Sequence, residues 1–256
     1  MIDFNHAAGS IAPSTMPKAA IVTGEQLTGY IDAGLQRTRT NAPERDYIGA
    51  STLGDPCLRR VYLDAINAPR EPFTGQKLRI FEMGHVFEDM MVGWIKRAGF
   101  TLDEVDPATG KQWEFVTAGG LIKGHSDGVI TAGPPVDGLI LPALWENKAL
   151  KAKFWNGIVK NGVRKAEPKY YAQVQLYLGY FKLAYCLFTA INKDTAEIYH
   201  EVIPYQVEMA QYYSDRGVQV IRSLRVGSMP RRVAAERTNM ICRFCDRNSY
   251  CWSLSA

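Results

Sequence analysis

The sequence predicts an α/β protein, a central mixed β-sheet flanked by helices, with a helical, cysteine-bearing region added. Two observations predict it. The middle of the chain changes from helical apolar spacing to short alternating or apolar runs, "QWEFVT", "LIKGHSDGVI" and "GLILPALWENKAL", separated by Gly and Pro turns. A helix then stands between these runs and a second strand pair, so helix and strand share one chain rather than forming separate blocks.

Taken in order, residues 1–45 are rich in Ala, Pro, Ser, Thr and Gly and read as an N-terminal arm, with one short helix near "GEQLTGYIDAGLQ". In "DPCLRRVYLDAI", Asp55 is placed to cap a helix and Pro56 suits its first turn. "RIFEMGHVFEDMMVGWIKRAGF" is the clearest amphipathic helix, with Phe87, Met91, Trp94, Ile95 and Ala98 as its apolar stripe and Gly99 as its stop. After the three strands a helix begins at Pro168, "PKYYAQVQLYLGYFKL". "AYCLFTAI" and "AEIYHEVI", joined by "NKDT", form a hairpin, and "YQVEMAQYYSDRGVQVIRSL" is a long helix leading to the tail. The expected organisation is an arm over 1–45, a core over 46–230 and a cysteine tail over 231–256 that closes on Cys57.

With 256 residues, 46% apolar and 22% charged, the chain can bury a substantial core. A formal charge of +4 permits an anionic partner without requiring one. No apolar run approaches the roughly 18–20 residues a membrane helix needs, and "MIDFNHAAGS" lacks the basic start and apolar centre of a signal peptide. A cytoplasmic location without membrane attachment is expected, where five cysteines argue for metal ligation or burial rather than disulfides.

In a strand, residues i and i+2 share a face, so Glu146 and Lys148 of "LWENKAL" point together while Trp145 and Asn147 take the other side. "GHSDGV" presents Asp127 between glycines and small polar groups, with an 18-residue gap before Glu146. Two carboxylates brought together repel unless protonated or bridged by a divalent cation, and an adjacent lysine can hold a water or steady charge on a phosphate. On the preceding helix His85 and Glu88 stand at i and i+3; downstream, Gln173 and Tyr177 stand at i and i+4.

This ordered set, His85, then Gly124-His125-Ser126-Asp127, then Glu146-Asn147-Lys148, then Gln173 to Tyr177, resembles the RecB-like branch of the PD-(D/E)XK nucleases over roughly residues 50–251. The resemblance implies that Asp127 and Glu146 hold a Mg²⁺ or Mn²⁺ ion, with His85 and the backbone carbonyl of Asn147 as further ligands. It implies a restriction-endonuclease-like core, in which Lys148 positions or activates the attacking water and Gln173 and Tyr177 support the site or touch DNA. Whether Glu88 joins is left open, because branches of the superfamily differ on this helix. His125 reads as an ordinary strand histidine.

The tail holds Cys242, Cys245 and Cys251, a C-x₂-C-x₅-C arrangement whose first pair can reach one metal. Zinc and iron–sulfur sites both favour four ligands. Cys186 lies in an apolar strand and reads as a buried hydrophobe, whereas Cys57 lies at a helix start, where N–H groups favour a thiolate. The pattern of one distant cysteine and three at the end resembles the iron–sulfur RecB-like nucleases, among them CRISPR-associated exonucleases and the nuclease domain of AddB. That resemblance implies a 4Fe-4S cluster on Cys57, Cys242, Cys245 and Cys251 as a structural staple, with zinc the alternative. "PCLRRVYL" departs from that family's "C-P-R-x-x-Y" context in having its proline before the cysteine.

From Lys148 to Lys169 there are seven Lys or Arg and one acid, Glu167. Lys151, Lys153, Trp155, Lys160, Arg164 and Lys165 are the expected DNA contacts, since cations neutralise phosphates and aromatic rings stack bases. The expected function is a metal-dependent DNA exonuclease acting in recombination or DNA-end processing, without a Walker A motor of its own. The resemblance extends to nucleases of phage and prophage recombination modules, which implies a bacterial or phage-infected cell and a single-strand annealing or other recombination protein as partner. A homo-oligomeric ring would account for processivity, although no residue pattern demands one. The alternative is a non-catalytic DNA-binding subunit stapled by the same cysteines.

Overall fold

The computed structural model describes residues 25–40 and 44–254; residues 1–24 of the expected arm lie outside the described residues. The helix expected near "GEQLTGYIDAGLQ" is α1 (Glu25–Thr40). It is followed by the short strand β1 (Ile48–Gly49), α2 (Leu58–Ala65) and the long α3 (Gly75–Arg97). Thr74 caps α3 by accepting from the Lys77 N–H at 3.2 Å, and Gly99, with φ +93°, lets the chain turn away after it.

Seven strands come next: β2 (Thr101–Asp103), β3 (Val105–Asp106), β4 (Lys111–Gln112), β5 (Glu114–Thr117), β6 (Ile122–His125), β7 (Gly128–Ala132) and β8 (Ala143–Leu150). Helices α4 (Ala152–Asn161), α5 (Val163–Ala166) and α6 (Pro168–Phe181) lead to β9 (Tyr185–Asn192) and β10 (Ile198–Pro204). The chain closes with α7 (Val207–Val226), α8 (Met240–Arg243) and α9 (Asn248–Ser253).

The main sheet has the order β10-β9-β8-β7-β2 and is mixed: β8 and β9 run parallel, and the other pairs are antiparallel. A parallel pair needs a crossover, and α4 to α6 supply it. As a central strand β8 is covered on both faces. Leu144 faces the larger core, with Val174 and Leu178 of α6, and Trp145 faces the smaller one, with Met91, Val92 and Ile95 of α3. Strands β1, β6 and β5 make a second, three-stranded sheet.

Three expectations are corrected. "LIKGHSDGVI" is not one strand, because it breaks at Ser126-Asp127 into β6 and β7, which belong to different sheets. Ala98 of the expected α3 stripe is exposed at the helix end, while Val92 and Leu78 are buried in its place. The basic segment after β8 folds as α4 and α5, with Trp155, Ile158 and Val163 turned into the core.

Candidate active site

Strand β8 aims Glu146 and Lys148 at the same space, as two-residue alternation requires. The Lys148 ammonium donates to Glu146 Oε1 and, at 3.0 Å, to the backbone carbonyl of Asn147. Its Nζ stands 4.0 Å from Asp127 Oδ2. Asp127 occupies the break between β6 and β7, where its Oδ2 accepts from the Asn147 N–H at 2.8 Å, so that hydrogen bond ties the two acidic elements together. The Asn147 side chain takes the other face, accepting from Thr189 Oγ1 at 2.8 Å in register across β9.

Helix α6 buttresses the cluster. Gln173 Nε2 donates to Glu146 Oε1 at 2.7 Å and to Tyr177 Oη at 3.1 Å, and the Tyr177 hydroxyl donates to the His125 carbonyl at 2.6 Å. The i, i+4 pair thus joins β8 to β6 through one helix face. Gly124 is required by this packing, since a Cβ there would lie 2.5 Å from Tyr177 Cε1 and 2.9 Å from Phe115 Cζ. Gly124→Ala should therefore cost about 1–3 kcal/mol of stability. A lowered melting temperature together with weakened catalysis is expected, and unchanged values of both would contradict this packing argument.

The electrostatics are unbalanced. Glu146 is fully buried, and its Oε2 has no hydrogen-bond partner among the described residues. Burial first, then the Asp127 carboxylate, push the Glu146 carboxyl up to about 8. Glu88 on α3 is pushed up to about 7, again by burial first and by Asp127 second. Burial opposes the Lys148 ammonium, but Glu146 and Asp127 outweigh it and hold its pKa above the ordinary lysine value. One ammonium thus stands among the three carboxylates of Glu88, Asp127 and Glu146.

His85 lies one turn before Glu88 with its side chain 82% exposed, and its Nδ1 is 4.0 Å from Glu88 Oε2. Of the two α3 residues, Glu88 is the one whose charge interacts with Asp127, Lys148 and Glu146. Among the described residues no three His, Cys, Asp or Glu side chains stand in ready metal-ligand geometry. Lys148 is bonded to Glu146 Oε1, and Asp127 Oδ2 is turned to a backbone N–H. The donor set nevertheless fits a hard divalent cation: oxygen ligands, excess negative charge and one buried, unpartnered carboxylate oxygen.

Of the expected DNA contacts, Lys151, Lys153, Lys160, Arg164 and Lys165 are exposed along α4 and α5. Trp155 is a correction. It is 9% exposed, and its Nε1 donates to the Ala190 carbonyl at 3.2 Å, so its ring fills the core instead of offering a stacking face. Its i, i+3 spacing to Ile158 is the signal of a buried helix face.

Cys57, at the N-terminal end of α2, and Cys242, Cys245 and Cys251 of the tail line one cavity of about 310 Å³. Burial first, then Cys57 and Cys251, push the Cys242 thiol up, and burial also raises Cys245. Cys186 is elsewhere, fully buried in β9 within the main core. The four cysteines share the lining of this cavity, but no three of them stand in ready metal-ligand geometry among the described residues. Ion pairs brace the same region: Arg60 with Asp246 at 3.2 Å, Arg247 with Asp64 at 2.9 Å, and Lys169 of α6 with Asp55 at 2.6 Å.

No protein-family model and no curated protein matches the chain. Among solved structures it is similar to an alkaline exonuclease (LHK-Exo) from Laribacter hongkongensis, at 14% identity and a TM-score of 0.48 over 78% of this chain and 94% of that one. The complex of LHK-Exo with dAMP gives 15% identity and a TM-score of 0.49 over 78% and 93%. SSO0001 gives 18% identity and a TM-score of 0.45 over 90% and 98%.

Proposed function

We propose that the chain is a divalent-metal-dependent DNA nuclease, an exonuclease acting in recombination or DNA-end processing. The observation that carries this is the cluster around β8: Glu146 and Lys148 on one face, Asp127 bonded to the intervening Asn147 N–H, and Glu146 Oε2 buried without a partner. Asp127, Glu146, the Asn147 carbonyl and Glu88 would hold Mg²⁺ or Mn²⁺. His85, whose Nδ1 lies 4.0 Å from Glu88 Oε2, would be a further ligand. Bound there, the ion would polarise a phosphodiester and make a water more acidic.

The chain's own residues account for the rest. Gln173 fixes the Glu146 carboxylate from α6, and Tyr177 fixes Gln173. Lys148, bonded to Glu146 Oε1 and to the Asn147 carbonyl, would hold the attacking water or meet charge on the phosphate. The exposed cations of α4 and α5 follow β8 directly and would take the phosphates of the bound strand.

Cys57, Cys242, Cys245 and Cys251 are proposed to hold a 4Fe-4S cluster, or zinc in its place, closing the tail on α2. Anaerobically purified protein should be brown and carry iron. Cys242→Ser should remove that colour and lower the melting temperature, whereas Cys186→Ser should leave the colour unchanged. Colourless protein containing zinc would replace the cluster with the alternative, and bleaching by Cys186→Ser would overturn the ligand assignment. The nuclease reading is tested by release of acid-soluble nucleotides from linear DNA with Mg²⁺, its arrest by EDTA and its recovery in excess Mg²⁺. Release that persists in EDTA would refute metal dependence.

A further inference from the structure

The loop before α3 and the first turns of that helix carry an aromatic pair surrounded by cations. Phe73 and Phe81 meet edge to face with ring centroids 5.4 Å apart. Three cations converge on Phe73: Lys77 at 4.5 Å, Arg70 at 5.0 Å and Arg39 of α1 at 5.7 Å, and Lys77 also lies 6.0 Å from Phe81. Three of the chain's cation–π contacts thus fall on a single ring. None of the three cations forms an ion pair among the described residues, and all are exposed. Phe81 is 44% exposed, which leaves part of its ring open to a ligand.

The placement relates this group to the candidate active site. Lys77, Phe81 and Glu88 are four and seven residues apart, spacings that return to one helix face at 3.6 residues per turn. The α3 face that brings Glu88 to Asp127 therefore continues back to Phe81 and Lys77. At 1.5 Å per residue the Phe81 and Glu88 backbones are separated by about 10 Å along the helix, the length of about three stacked nucleotides at 3.4 Å each. The loop is also held: the Glu71 N–H donates to the Asp246 carbonyl at 2.8 Å, so the residue after Cys245 anchors the segment that leads into Phe73.

We infer that Phe73, Phe81, Lys77, Arg70 and Arg39 form a binding site for an unpaired stretch of DNA, with bases stacking on the aromatic pair and phosphates paired by the cations, about three nucleotides from the scissile bond. This rests on the nuclease reading above and adds a second contact surface on α3, apart from the cations of α4 and α5. Stacking supplies affinity without sequence preference, because every base has a π-face. The site holds the strand end in line with Glu88, so its loss weakens binding more than turnover.

The test uses the full chain and a single-stranded oligonucleotide carrying one 2-aminopurine, bound in Ca²⁺, with KM and kcat on the same strand measured in Mg²⁺. Phe81→Ala should reduce the stacking quench of 2-aminopurine and raise KM about tenfold, within the range for losing one base–aromatic stack, with kcat within about twofold. Phe81→Trp should restore both. Lys77→Ala should lower the slope of log affinity against log salt by about one, a readout that misfolding of the Phe81 variant cannot mimic. A wild type that cuts DNA while both variants match it in KM, quench and salt slope would overturn this site alone. A wild type that neither binds nor cuts DNA would overturn this site and the nuclease reading together.

Discussion

Glu146→Gln should abolish DNA cleavage, by about a thousandfold or more, the size expected when several kcal/mol of metal-assisted charge stabilisation is removed. The substitution keeps the shape of the side chain and can keep the hydrogen bond from Gln173. It removes the carboxylate that burial and Asp127 hold up near 8, which is the group most in need of a cation. Lys148 retains the Asn147 carbonyl at 3.0 Å and Asp127 at 4.0 Å, so its ammonium is not stranded. The folded state should therefore survive, with an unchanged circular dichroism spectrum and a melting temperature within a few degrees. Full activity in this variant would remove Glu146 from the metal site.

Lys148→Met should lower the cleavage rate by about a hundredfold, within the range for losing a group that acts on the reacting water or phosphate, while DNA affinity changes by less than about twofold. The asymmetry follows from position. Lys148 is turned inward to Glu146 and Asp127, whereas Lys151, Lys153, Lys160, Arg164 and Lys165 are exposed and suited to strand binding. Methionine keeps most of the buried stem volume, so the comparison reads charge rather than packing. A variant that turns over normally but binds DNA weakly would make Lys148 a phosphate clamp.

Much of this arrangement was legible in the chain because it follows from local geometry. Alternation along β8 pairs Glu146 with Lys148, and the turn of a helix pairs Gln173 with Tyr177. The alternation from helices to a mixed sheet also came from periodicity. The rest depends on tertiary placement. His85 and Glu88 occupy adjoining positions on α3, and only the packing of that helix on the sheet brings the acid's charge to Asp127. The break at Ser126-Asp127 depends on two sheets competing for one run, which no periodicity within that run reveals. The cations around Trp155 make it read as a DNA contact, whereas its helical spacing to Ile158 places both side chains in the core. The aromatic and cationic group at Phe73 and Phe81 is not legible in the sequence because its members come from α1, a loop and α3.

The measurement that bears most directly on the central claim is digestion of end-labelled linear DNA in Mg²⁺ or Mn²⁺, with a closed circle and the Glu146→Gln variant run beside the wild type. The account predicts that the wild type degrades the linear DNA from an end, spares the circle, and loses this activity on substitution at Glu146. Tight binding without any cleavage in either metal would contradict it and leave a DNA-binding subunit in its place.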